Sequence, residues 1–219
     1  MAAIRDVNDA EASFVARQRE GSELEQWHAV KRAASDAIVA AGGGMGTTAI
    51  VENVRSAGFD PERVRHVILT HAHGDHAGGT ARLKAALSTP AVHLSHVAAP
   101  WLRDGDEDAI SLGRAKEAGI YPEDYRFEPC AVDNELAEGD TISVGDLRLE
   151  VLDTPGHCDG HVSLLAEIDS RRLLFAGDAV FYGGTIHLQN IPDCRLDAQI
   201  STLRKLRERS VDVLLPGHQ

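Results

Sequence analysis

The sequence predicts a layered α/β domain, and three observations carry that expectation. Short β-branched apolar runs alternate with stretches of helical periodicity along most of the 219 residues. Glycine-containing turns punctuate the ends of those runs. Composition is ordinary for a globular chain, with 43% hydrophobic and 26% charged residues, and this length can bury a large core without disulfide staples.

The elements follow in order. Residues 9–34 read as helix, with Phe14, Val15, Leu24, Trp27, Val30 and Ala34 on one face and Gly21-Ser22 breaking it in two. Residues 1–36 are thus expected to form an atypical helical segment ahead of the main domain, 37–219. Ala37–Ala41 is a short strand entering a tight loop at Gly42-Gly43-Gly44, and Thr47–Ala57 is a helix that Gly58 and Asp60-Pro61 terminate. Val64–Thr70 is β-branched and apolar, a buried strand. Thr80–Leu87 reads as helix and Ala91–Leu94 as strand, while Trp101–Asp124 is acidic and irregular, with short helices. Asp140–Val144 and Leu147–Leu152 form a hairpin about Gly145-Asp146, and Val162–Ile168 with Arg172–Ala176 forms a second. Leu196–Arg209 is a helix and Val211–Leu215 the last strand.

Charge and cysteine usage exclude some classes. The formal net charge of -12 repels phosphate backbones, so no nucleic-acid partner is expected. Cys130, Cys158 and Cys194 are too few and too scattered for a disulfide framework. The first residues lack an apolar stretch of signal-peptide length and no segment is apolar enough to span a bilayer, so a cytoplasmic protein without a membrane partner is expected.

The chemistry sits in four short segments, each just after a predicted strand. They are Thr70-His71-Ala72-His73-Gly74-Asp75-His76, Thr154-Pro155-Gly156-His157, Phe175-Ala176-Gly177-Asp178 and Leu215-Pro216-Gly217-His218. His71 and His73 project to the same side of an extended chain, and a third imidazole, for which His157 is the natural choice, would give a three-histidine site with an open position. Asp75 and His76 can turn toward a second ion, Asp178 can bridge two cations through its two oxygens, and His218 can complete the second site. A ligand set of imidazole and carboxylate suits zinc, and also iron or manganese. Any one of these histidines alone would read as loop polarity; their recurrence at successive strand ends does not.

These motifs resemble the metallo-β-lactamase superfamily from about Ala37 to the end of the chain. The resemblance implies an αββα sandwich, two facing mixed sheets with helices outside. It implies that His71, His73 and His157 hold one zinc, that Asp75, His76 and His218 hold the other, and that Asp178 bridges them. Two such cations would lower the pKa of a shared water toward ~7, and the resulting hydroxide would attack the carbonyl of a small thioester, ester, lactone or β-lactam substrate. Asp75 would orient that nucleophile or pass a proton. The stretches around His157–His161 and Phe175–Phe181 look like those of hydroxyacylglutathione hydrolases, the glyoxalase II group, although the helical extension that shapes the glutathione pocket in that group is not expected here.

Other residues carry weaker expectations. His161 reads either as a group behind the ligands that hydrogen-bonds their loop, or as one without that role. Tyr182 could donate to a substrate carbonyl or simply pack. Cys158 is expected as a small residue beside a ligand, and Trp101 and Tyr121 as packing. His66, His93, His96 and His187 are expected to be structural or exposed. Two departures from the family stand out. A charged helical segment and Ala40-Ala41-Gly42 occupy the place of its first paired strands and turn aspartate, so the first sheet is expected to be short of strands; and with Gln219 the last residue of the sequence, His218 is expected to be a loose ligand. The alternatives are a mononuclear iron dioxygenase of the persulfide type and a non-catalytic, shortened family member. A superfamily nuclease fits the acidic charge poorly, and a flavin-linked di-iron reductase usually has Glu where His73 stands.

Overall fold

The computed structural model describes residues 37–40, 46–168 and 170–218. The expected N-terminal helices, the turn at Gly42–Gly44 and the terminal Gln219 lie outside the described residues.

Two sheets face each other. The first contains β1 (Ala37–Ala40), β2 (His66–Leu69), β3 (Ala91–Ser95) and β4 (Asn134–Leu136), in that order and all parallel. Parallel neighbours need long crossovers. Helix α1 (Thr47–Ser56) lies in the crossover from β1 to β2. The four-residue α2 (Gly74–Ala77) and α3 (Thr80–Ala86) lie between β2 and β3. Helices α4 (Ala99–Asp104) and α5 (Leu112–Glu117) lie between β3 and β4. The second sheet contains β5 (Thr141–Val144), β6 (Leu147–Asp153), β7 (Val162–Ile168), β8 (Arg171–Gly177) and β9 (Val213–Pro216); β5 to β8 form an antiparallel meander and β9 joins β8 in parallel after helix α6 (Leu196–Arg207).

Alternation along the strands sorts side chains into layers. Val67, Leu69, Val92 and Leu94 face the helices and pack with Val51, Leu83, Leu102 and Leu112. Ile68, between them in β2, faces the other way and joins Val144, Leu149, Val151, Val162 and Leu164 in the core between the sheets. The outer face of the second sheet, with Leu152, Leu165, Leu174 and Ala176, is covered by α6 through Leu206. Helix, sheet, sheet and helix are thus stacked in four layers.

Most predicted elements occur where expected, with ends shifted by at most two residues; strand Val64–Thr70, for example, is paired only over His66–Leu69. Strand β4 was not anticipated. Its three residues, Asn134-Glu135-Leu136, have only Leu136 buried, so they carry no apolar run for pattern reading to find. No described helix is long and apolar enough to cross a membrane.

Candidate metal centre

All four motif segments leave the ends of β2, β6, β8 and β9 at one edge of the two sheets. Backbone hydrogen bonds stitch them together: Val162 N–H donates to Thr70 O at 2.8 Å, Thr154 N–H to His161 O at 2.9 Å and Gly217 N–H to Gly177 O at 2.8 Å. Gly177 has φ +52°, and a Cβ there would lie 2.7 Å from His161 Nε2, so only glycine allows the turn that presents Asp178. Gly156, at φ +141°, lets the His157 turn lie flat on the backbone of Gln199 in α6.

His71, His73, His157, Asp178, Asp75, His76 and His218 converge in three overlapping groups whose donor atoms lie within 4.8 Å of one another; Cys158 falls in the group with His71, His73 and His157. His73 Nδ1 lies 3.1 Å from His157 Nε2. His76 Nε2 is 3.1 Å from His218 Nε2, 3.4 Å from Asp75 Oδ2 and 3.4 Å from Asp178 Oδ1. His218 Nε2 is in turn 3.2 Å from Asp75 Oδ2 and 3.4 Å from Asp178 Oδ2. Ligands at 2.0–2.1 Å from a tetrahedral cation stand about 3.3 Å apart, which is the spacing of these donors. Asp178 lies between the groups, since Oδ2 is also 3.6 Å from His157 Nε2.

Most of the cluster is buried, with His71 at 0%, His157 at 1%, His76 at 3% and Asp178 at 5% exposure, while Asp75 and His218 are partly exposed. His71 Nε2 and Asp178 Oδ1 have no hydrogen-bond partner there. Buried polar atoms are seldom left so, and donors aimed at a common point fit a cation. Charge gives the same reading. Burial works against a charge on His76, but Asp75 and Asp178 outweigh it and raise its pKa to about 10. Two carboxylates therefore hold a proton on His76 where a divalent cation would replace it. Burial would raise the Asp178 pKa, but His76 and then His218 and His157 bring it down to about 2. Burial first, then its histidine neighbours, lowers His71 well below the usual range and keeps it neutral, as ligation requires. His157 is lowered to about 4 by burial, against the pull of Asp178.

Supporting contacts orient the rings. His73 turns Nε2 to Asp193 Oδ2 at 3.1 Å, leaving Nδ1 for the cluster, and Ser111 Oγ–H donates to the other Asp193 oxygen at 2.8 Å. His161 accepts Asp178 N–H on Nε2 at 3.0 Å, and its Nδ1 lies 2.8 Å from Thr154 Oγ1. It stands behind the ligands and hydrogen-bonds their loop. Tyr121 is 8% exposed and packs in the core, as its apolar ring suggests, but its hydroxyl also donates to Asp75 Oδ1 at 2.8 Å. Expectation of packing alone missed that contact, as it missed Asp193 and Ser111. Tyr182 is 70% exposed on a short 3₁₀ turn, so the packing alternative for it fails. Cys158 is buried beside His157, and burial pushes its thiol well above the usual range, which keeps it protonated. The expected structural histidines divide: His93 is buried with Nε2 3.0 Å from His66 Nδ1, whereas His96 and His187 are exposed.

Fold and motif edge together define a metal-binding αββα protein. Residues 34–218 match the family model of the metallo-beta-lactamase superfamily, and the chain belongs to that family. It is 30% identical over 191 residues to an acyl-coenzyme A thioesterase MBLAC2 of Gallus gallus, covering 80% of this chain and 66% of the relative. It is 34% identical over 127 residues to a hydroxyacylglutathione hydrolase of Rhodopseudomonas palustris, covering 57% of this chain and 38% of that one. Among solved structures, a metallo-beta-lactamase from Cronobacter sakazakii with a HARLDQ motif superposes with a TM-score of 0.66 at 27% identity, over 83% of this chain and 69% of the other. The chain therefore spans just under two thirds of the thioesterase relative's length.

Proposed function

We propose that this chain is a metal-dependent hydrolase with two zinc ions, one held by His71, His73 and His157 and the other by Asp75, His76 and His218, with Asp178 shared between them. The observation that carries this reading is the near-tetrahedral spacing, 3.1–3.4 Å, of the donors around His76, together with the partnerless His71 Nε2. When bound, such a cation pair supplies an acidified water and polarises a carbonyl oxygen.

The chain's residues do the remaining work. Asp178 and Asp75 provide the negative charge that holds the cations. Asp193, through His73, fixes one ring's tautomer. No side-chain nucleophile is required, and the nearby Cys158 thiol stays protonated. Thioesters are the favoured substrates, because the relatives include an acyl-coenzyme A thioesterase and a hydroxyacylglutathione hydrolase. An apolar edge on the site fits an acyl group: the Phe181 ring stacks on His218 with centroids 5.8 Å apart, and Tyr182 and Leu188 of the same loop are exposed.

The test is elemental analysis of untagged protein followed by thiol release from acyl-coenzyme A and acyl-glutathione thioesters. About two zinc per chain and thiol release support the reading. A zinc-loaded protein inert toward thioesters, esters, lactones and β-lactams would overturn it, and one iron with oxygen consumption would replace it with the dioxygenase.

A further inference from the structure

Tyr121 and Tyr125 bracket a single peptide unit. Their rings stack at 5.0 Å between centroids with 25° between planes. Tyr125 O–H donates to Gly74 O at 3.1 Å. The N–H of the same peptide unit, that of Asp75, donates to the Tyr121 hydroxyl oxygen at 2.8 Å. Tyr121 then uses its own proton on Asp75 Oδ1, also at 2.8 Å. One hydroxyl thus accepts from the backbone and donates to the side chain of one residue, which fixes Asp75 at both φ and χ.

The packing leaves no slack. A Cβ on Gly74 would meet both tyrosine rings at 3.2–3.3 Å, and one on Gly78 would overlap the Tyr125 hydroxyl. The tyrosines belong to the core that also contains Ala77, Leu102, Leu112 and Phe127, so the hydroxyls are held by the rings' burial. The consequence falls on Asp75. Its Oδ1 is committed to Tyr121, and only Oδ2 is turned to His76 Nε2 and His218 Nε2.

We propose that Tyr121 is a positioning residue that holds Asp75 as a single-oxygen ligand of the second metal position. Oδ1 accepts a hydrogen bond from the Tyr121 phenol, which leaves Oδ2 as the oxygen offered to the second metal position. Tyr125 plays a lesser part, since Gly74 O also accepts Gly78 N–H at 3.0 Å and keeps a donor without it. This inference rests on the two-metal reading of the site.

The experiment is a zinc titration of the metal-free full chain against a chromophoric chelator, for wild type, Tyr121→Phe and Tyr125→Phe. Phenylalanine keeps the ring in the core and removes only the hydroxyl. The expected result is a second zinc bound about 10- to 100-fold more weakly in Tyr121→Phe, the usual loss when a ligand's hydrogen-bonded partner is removed. The first zinc keeps its affinity, and Tyr125→Phe loses less at the second. Circular dichroism of the metal-free variants separates positioning from misfolding, and if Tyr121→Phe fails to fold, Tyr121→Met, which is no larger than the ring and also lacks the hydroxyl, takes its place. Two zinc ions with unchanged affinities in folded Tyr121→Phe would overturn the proposal alone. A wild type that takes up no zinc would overturn the metal centre as well.

Discussion

The Nε2 of His161 accepts the backbone N–H of Asp178 at 3.0 Å, and this contact fixes the direction of a buried chain of hydrogen bonds. A backbone amide can only donate, so His161 carries its proton on Nδ1 and donates it to Thr154 Oγ1 at 2.8 Å. Ser163 Oγ donates to Ala176 O at 3.2 Å, so the Thr154 hydroxyl must be the donor in the 2.9 Å contact between the two. Every hydrogen is used, and burial accordingly lowers the His161 pKa to about 3.

His161→Phe strands the Asp178 amide and breaks the chain at Thr154. Each buried group left without a partner costs about 1–3 kcal/mol. Urea denaturation of metal-free protein should show a loss of at least about 2 kcal/mol, with His161→Gln recovering part of it by supplying an acceptor. An unchanged midpoint in His161→Phe would show that the network contributes nothing.

Asp193→Ala removes the partner of His73 Nε2 and should weaken the first zinc about 10- to 100-fold while sparing the second, the reverse of the Tyr121→Phe pattern. Ser111→Ala should have a smaller effect of the same kind, because the Ser111 hydroxyl reaches His73 through Asp193. Competitive zinc titration reads both, and equal losses at both positions would contradict the assignment of His73.

Asp178→Ala and His71→Ala should each abolish thioester turnover and leave the circular dichroism spectrum largely native. Asp178 lies among His76, His157 and His218, so its removal should reduce the zinc count as well as the rate. Purified variants that retain activity would remove these residues from the site.

A pH effect is expected from the pair His66–His93, which lies apart from the metal cluster on β2 and β3. Burial, then the neighbouring His66, lowers the His93 pKa to about 4, against a smaller upward pull from Asp133. An unfolded histidine titrates near 6.5, so below that pH the unfolded chain binds a proton that the folded one refuses. Stability therefore falls as pH drops from about 6.5 to 4, by at most roughly 3 kcal/mol from this group. The loss should be smaller in His93→Gln, measured as the difference in denaturation midpoint between pH 7 and pH 4.5. Identical pH slopes for the two proteins would refute it.

Much of the fold was legible because the strands write their burial into the sequence. Val67, Ile68 and Leu69 form an unbroken apolar run, as a strand covered on both faces must, while Thr141–Val144 alternates exposed and buried as an edge strand does. The convergence of His71, His73, Asp75 and His76 was legible because they are neighbours in one loop. The segments of His157, Asp178 and His218 share with it a glycine turn after a strand.

Tyr121, Asp193 and Ser111 were not legible. Tyr121 meets Asp75 across 46 residues, Asp193 meets His73 across 120, and Ser111 meets Asp193 across 82. Their own surroundings in sequence are irregular loops without periodicity, and nothing local distinguishes a tyrosine that packs from one that packs and donates. Cys158 shows the opposite case: its place beside His157 is visible in the sequence, but its charge state depends on full burial.

By itself the sequence determined the layered α/β order and the four turns that carry imidazole and carboxylate, because strand periodicity and short motifs are local properties of a chain. The tertiary structure decided which nitrogen of each ring faces inward, which oxygen of Asp75 is free and which remote side chains hold them. Those choices depend on hydrogen-bond partners in a buried site, and such partners are brought together only when the two sheets close on each other.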